Sequence, residues 1–410
     1  MMKWEEKLQG SIRKNILWWA VAAAGALGVF IRYSFMPLIV ADMEFMLSSW
    51  YKATVEGGLA ALAVESTYSP LYLYLFPLLV KLNLPYSDAI KLSTFAFEIV
   101  LFVASCLTVF HVAPQGKKKE YTALVFILLC FHPLVILNGA GWGQADICFA
   151  AFSMLAVWCL IRGKSLWAMV HMGIALALKL QAVLLLPLFV IYYFTEKKFS
   201  LWQFLVIPAV WVATGLPMAF FGQSPLYAVT CYLGQVEMYP VPTYNYPNFY
   251  ALLGDSLGNK QMIHGMFSRY GMGLSILGLG GMASWLIAQK ARLTERATLL
   301  LGAWCVLCAV FFMPRMHERY GFMGEMLLLC WAVCLGKPRG FAYTLLGILP
   351  VASAYAKYMF RYPMFSLQLG AVMNLVLLGL LTYEVLREVN AAGREASSSG
   401  EKALPSREAS

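Results

Sequence analysis

Two acids carry the first chemical signal in this chain. Asp42 and Glu44 stand in Ala41-Asp42-Met43-Glu44-Phe45, where the first long apolar run ends. Carboxylates are costly near lipid and tend to be kept there for function. Aspartate is also scarce, with four in 410 residues. The pair points to chemistry at a membrane surface. Ordinary loop acids beside an interfacial helix would leave the same trace.

Four further pieces carry polar groups. In Asn138-Gly139-Ala140-Gly141-Trp142-Gly143-Gln144-Ala145-Asp146 the glycines allow tight turns, and Gln144 and Asp146 bring polar groups to a helix mouth. Asp146 also suits a helix N-terminus, where a carboxylate complements the dipole. Leu178-Lys179-Leu180-Gln181 places Lys179 and Gln181 at a helix end. Lys179 there either snorkels to headgroups or pairs with a lipid phosphate. The loop after residue 221 holds Gln235, Tyr244, Asn245 and Asn248 in a proline- and tyrosine-rich run. Aromatic faces with amide donors and acceptors suit a sugar; a proline-stiffened interfacial aromatic belt has a similar composition.

The last piece, Met313 to Tyr320, contains Arg315, His317, Glu318 and Arg319. It is not a zinc-protease motif, because Gly321 stands where H-E-x-x-H needs its second histidine. Two arginines beside a His-Glu pair suit a bidentate grip for phosphate; stop-transfer charge would leave the same residues, although arginine on the outer side runs against that rule.

These groups need helices to place them. The chain is 60% hydrophobic with a net charge of +10. A spanning helix takes about 20 apolar residues, and about twelve such runs are present. They are 16–38, 89–112, 121–137, 145–161, 165–178, 182–194, 201–221, 271–288, 297–313, 320–335, 340–355 and 364–386. The expected fold is an all-α polytopic membrane protein. Residues 1–15 form a cytoplasmic N-terminus leading into an uncleaved signal anchor. Residues 16–389 form the membrane domain, with external loops at about 41–87 and 222–270. Residues 390–410 are polar and are expected to be a disordered cytoplasmic tail.

One more apolar run, 70–84, decides the topology. It is short, is broken by Pro77 and contains Lys81 and Asn83. If it lies along the outer surface as a juxtamembrane segment, most of the 31 Lys and Arg fall in cytoplasmic loops, as the positive-inside rule requires. Both termini are then cytoplasmic. The basic clusters read as topology signals, so no nucleic-acid partner is expected. The nine cysteines lie almost all inside apolar runs, and Cys305-x-x-Cys308 has no second pair to complete a metal site. With 70–84 outside, all four aspartates and the Arg315–Arg319 group share the external face.

The ordered set resembles a known group. An acidic D-x-E in the first external loop, Ser69-Pro70-Leu71-Tyr72-Leu73-Tyr74, Trp142-Gly143-Gln144-x-Asp146, Lys179-x-Gln181 and Met316-His317-Glu318-Arg319-Tyr320 are similar to the GT-C glycosyltransferases. Within them, the set resembles bacterial members related to the GPI mannosyltransferases. The likeness runs from about residue 32 to 335 and leaves the last two spans generic. It implies transfer of a single sugar, mannose or another hexose, from a polyprenyl-phosphate donor to an external glycan or glycolipid acceptor, with inversion. It makes Asp42 the catalytic base and Glu44 a second acid. Gln144, Asp146, His317, Glu318 and Arg319 become site-lining positions. No cofactor is required, although Asp42 and Glu44 could hold a divalent cation. The rival classes are a transporter or flippase of lipid-linked sugars, and a glycan polymerase or ligase. Secondary carriers show related halves, and no such repeat is visible here.

Overall fold

Lipid offers the backbone no hydrogen-bond partners, so apolar runs must satisfy their own N–H and C=O groups as helices. A computed structural model of the chain shows this outcome over the residues it describes, 3–66, 68–232, 241–253 and 261–401. The helices are α1 (Lys3–Lys14), α2 (Ile16–Ser34), α3 (Ser48–Glu65), α4 (Pro70–Leu73), α5 (Phe76–Val80), α6 (Tyr86–Val112), α7 (Lys118–Phe131) and α8 (Pro133–Ile136). They continue as α9 (Asp146–Ile161), α10 (Ser165–Leu178), α11 (Leu186–Glu196), α12 (Val206–Gly215), α13 (Tyr227–Thr230) and α14 (Phe249–Leu252). The series closes with α15 (Gln261–Ala288), α16 (Glu295–Phe312), α17 (Phe322–Leu335), α18 (Pro338–Phe360) and α19 (Leu367–Glu401). One small sheet interrupts the helices: β1 (Thr243–Tyr244) runs parallel to β2 (Met316–His317).

Among the described residues, six helices are long and apolar enough to cross a membrane. A seventh is the bent pair of α7 and the stretch Pro133–Gly141, which meet at 51°. The bend falls at His132, whose extended backbone (ψ 117°) is what a following proline imposes. The other expected spans are shorter apolar helices, Asp146–Ile161, Ser165–Leu178, Leu180–Glu196 and Phe322–Leu335, together with α18. Every residue of α17 is buried, whereas α10 and the stretch Leu180–Glu196 keep exposed faces at Leu166, Trp167, Val183, Val190 and Phe194. α19 continues past residue 390 to Glu401.

The run 70–84 divides into α4 and α5. Pro70–Val80 is 11 residues, about 16 Å of helix against a hydrocarbon core of about 30 Å, shorter than the other short apolar helices named above. A ring ladder ties it to α3: Trp50–Tyr68 at 5.2 Å, Tyr68–Tyr72 at 5.1 Å, Tyr72–Phe76 at 5.8 Å and Trp50–Phe76 at 6.0 Å.

Two buried charges fix α2. Arg32 pairs with Glu98 of α6 at 2.5 Å and donates to the carbonyls of Gly28 and Cys130. Lys91 of α6 donates to the carbonyls of Phe35 (2.9 Å), Met36 (3.0 Å) and Leu38 (2.5 Å), so all three of its N–H groups have partners. These bonds hold the turn that leads from α2 into Asp42.

Candidate active site

Asp42 opens a π-helical turn, Met43–Leu47, that leads into α3. Its carboxylate is held from two sides. Tyr358 at the end of α18 donates its hydroxyl to Oδ1 at 2.6 Å, and Gln144 donates its amide to Oδ2 at 3.3 Å. The Asp42 backbone N–H also donates to the Tyr358 hydroxyl at 3.2 Å. Gln144 reaches inward because Gly143 takes a left-handed turn (φ +70°) at a place where a Cβ would strike Met43.

Behind Asp42 lies an ionic cluster. Arg319 sits 3.6 Å from Asp42, 3.4 Å from Asp146 and 3.2 Å from Glu318. Its guanidinium covers the ring of Trp142, 4.7 Å from the centroid. Lys179 pairs with Asp146 at 2.7 Å and lies 5.9 Å and 5.8 Å from the rings of Tyr68 and Tyr320. The Asp146 side chain is fully buried, whereas that of Asp42 is 27% exposed. Burial, against the pull of Arg319, pushes Glu318 up to about 7. Burial, with Arg319 and Lys179 nearby, pushes His317 down to about 2, so its ring is neutral. His317 stacks on Tyr244 at 4.7 Å, where β1 meets β2.

These groups bound a cavity of about 620 Å³. Of the sequence candidates, Asp42, Gln144, Lys179, Gln181, Tyr244, Asn245, His317, Glu318 and Arg319 line it, and Asp146 lies buried beneath. The cavity gathers, around Asp42, groups from the ends of the bent α7–α8 pair, α10, α16 and α18. That convergence needs an even number of crossings between them, which agrees with a non-spanning α4–α5.

Some candidates do not join the site. Glu44 is exposed and does not line the cavity. Residues i and i+2 of a helical turn point to different sides, and Glu44 lies away from the Asp42 carboxylate's neighbours in the cavity. Among the described residues no three His, Cys, Asp or Glu cluster to hold a metal. Asn248 is fully buried and caps α14 through the Ala251 N–H at 3.3 Å, a structural task. Arg315 is exposed, outside the cavity, with its N–H bonded to the Pro242 carbonyl. Gln235 lies outside the described residues.

The sequence reading passed over α18. Its last turn supplies Tyr358, and with it Lys357 and Arg361 at the cavity wall. Counting crossings would have placed that turn on the site side. Trp50, Tyr68, Tyr72, Tyr232 and Tyr320 form aromatic walls that single-residue reading could not tell from interfacial belts.

The fold and site define an all-α, multi-pass membrane protein with a charged cavity at one end of its bundle. The chain belongs to glycosyltransferase family 87, a GT-C-type integral-membrane family, whose sequence profile matches residues 66–338. It is therefore a glycosyltransferase, and a sugar donor, an acceptor and the bilayer are its partners. No curated protein matches the chain. The matched stretch holds Gln144, Asp146, Lys179 and Arg319; Asp42 precedes it and Tyr358 follows it.

Proposed function

We propose that this glycosyltransferase moves one sugar, mannose or another hexose, from a polyprenyl-phosphate donor to a glycan or glycolipid acceptor, at the outer face of the cell membrane. The observation that carries the reading is the contrast within the ionic cluster. Asp146 and Glu318 are sealed, but the Asp42 carboxylate opens on the cavity while Tyr358 and Gln144 hold it still. A fixed carboxylate with a free edge is the arrangement a general base needs.

The acceptor hydroxyl attacks the anomeric carbon from the side opposite the phosphate. Asp42 takes its proton as the new C–O bond forms. The bond to the phosphate oxygen breaks, and the lipid phosphate leaves with the electron pair, which inverts the anomeric centre. Arg319 keeps Asp42 oriented and adds a fixed positive field to the cavity, a preorganised electrostatic contribution. No divalent cation enters this scheme. The outward orientation rests on the opposite end of the bundle, which gathers Lys117, Lys118, Lys119, Arg162, Lys164, Lys197 and Lys198, as a cytoplasmic face does.

The test is Asp42→Asn in purified protein supplied with a panel of radiolabelled polyprenyl-phosphate sugars. Loss of lipid-phosphate release with an unchanged melting temperature is the expected result. Near wild-type release would remove Asp42 as the base.

A further inference from the structure

The charges around the cavity do not balance. Four cations line it (Lys179, Arg319, Lys357 and Arg361) against two acids, Asp42 and Glu318. Lys179 and Arg319 are already committed, the first to Asp146 and the second to Asp146, Asp42 and Glu318. Among the described residues no ion pair engages Lys357 or Arg361. The surplus positive charge therefore sits on one wall, at the end of α18. That wall is also where Tyr358 bonds Asp42 at 2.6 Å.

Both cations line the same cavity from one helix end. The Arg361 backbone N–H donates to the Lys357 carbonyl at 3.1 Å, closing the last turn of α18. Arg361 takes φ +64°, a left-handed conformation usually filled by glycine or asparagine at a helix end. Cations at a helix C-terminus complement the dipole, but that effect needs neither a cavity-facing pair nor an arginine in a disfavoured backbone state. Both residues also lie beyond the 66–338 stretch that family membership explains.

We infer that Lys357 and Arg361 hold a lipid-borne phosphate at the cavity wall beside Asp42. The inference rests on the transfer reaction proposed above. In that reaction the phosphate passes from a diester with one negative charge to a monoester with up to two, so a guanidinium and an ammonium at this place would bind the leaving group more tightly as it departs. The same chemistry would suit the phosphate of an acceptor lipid headgroup, and the test separates the two.

The full chain is placed in phosphatidylcholine nanodiscs and titrated with farnesyl phosphate, farnesol and dihexanoyl phosphatidylglycerol. The variant is Lys357→Gln with Arg361→Asn, because asparagine accepts the left-handed turn and keeps the cap. Wild type should bind farnesyl phosphate in preference to farnesol. The double variant should lose at least about tenfold in phosphate affinity, the size of one charge-assisted contact, with farnesol binding and melting temperature unchanged. A loss confined to farnesyl phosphate assigns the wall to the donor; a loss confined to dihexanoyl phosphatidylglycerol assigns it to the acceptor. Equal binding of all three probes by variant and wild type, or no preference for farnesyl phosphate over farnesol in the wild type, overturns the inference. Asp42→Asn keeps farnesyl phosphate binding in either case, so a failed base and a failed phosphate wall give different results.

Discussion

The two ends of the bundle use charge in different ways. At the end away from the cavity the ion pairs are local struts. Arg296 reaches Glu388 at 3.1 Å and Arg339 reaches Glu384 at 2.8 Å, each tying α19 to a neighbouring helix. Their cations stay partly exposed, at 42% and 28%. In the ionic cluster beneath the cavity the cations are buried, at 4% for Lys179 and 11% for Arg319, and one guanidinium serves three carboxylates from three parts of the chain. A pair that water reaches through its cation is screened, while removing a fully buried partner such as Asp146 leaves buried charge uncompensated. The contrast separates charge that sets topology from charge arranged for chemistry.

Substitutions can break this contrast in a definite order. Asp42→Asn should have the largest effect, a fall in transfer of roughly 10²–10⁴-fold, read as turnover at constant melting temperature. Asp146→Ala comes next. It leaves Lys179 and Arg319 buried without their shared carboxylate, which should cost about 3–5 kcal/mol of stability, read by thermal unfolding in detergent. A cost under about 1 kcal/mol would show that the two ends do not differ. Tyr358→Phe removes one hydrogen bond to a charged group, worth about 1.5–3 kcal/mol, and should lower kcat by about ten- to a hundredfold with KM little changed.

A pH series sharpens the comparison further. Glu318 is raised from 4.5 to about 7 on folding, so the folded state binds the extra proton and stability falls as pH rises through that window. His317 is lowered from 6.5 to about 2, so it adds stability as pH rises toward 6.5 and opposes Glu318 where the windows overlap. Glu318→Gln removes only the falling contribution. Its melting temperature should gain on the wild type between about pH 4.5 and 7; parallel profiles would exclude a buried, proton-holding Glu318. A smaller effect belongs to the other end, where Arg296→Ala should cost less than Asp146→Ala, because water reaches that pair through the 42% exposed Arg296 side chain and Glu388 keeps its bond from the Trp331 indole. Cysteine placed at Lys118 should resist labelling from outside the cell, and labelling there would reverse the orientation. The native cysteines are free, and apart from Cys106, which is partly exposed, they are buried.

Much of this was legible in the sequence because lipid leaves few choices. A long apolar run becomes a helix, and polar residues kept within an apolar chain mark a site. Asp42, Gln144, Asp146, Lys179 and Arg319 are singled out on those grounds, and the structure places them together. Spacing misled at Glu44, where an alternating D-x-E on a helical turn sends its second acid elsewhere. It also misled at Asn248, whose amide was needed to start a four-residue helix. Tyr358 stayed hidden because a tyrosine at the end of an apolar helix looks like an interfacial anchor, and only the contact across 316 residues reveals its partner. The bend at His132 is a proline effect that the sequence shows at Pro133, but its 51° angle is not written in any single residue.

Lys91 has a consequence for how the enzyme works in a fluctuating bilayer. The same helix that grips the carbonyls before Asp42 passes alongside the Gly143 turn, where an added Cβ would come 3.1 Å from Ile90 and 3.6 Å from Lys91. The Asp42 carboxylate and the Gln144 amide that bonds it are thus set against one stretch of α6, so a displacement of that helix would carry both in the same direction.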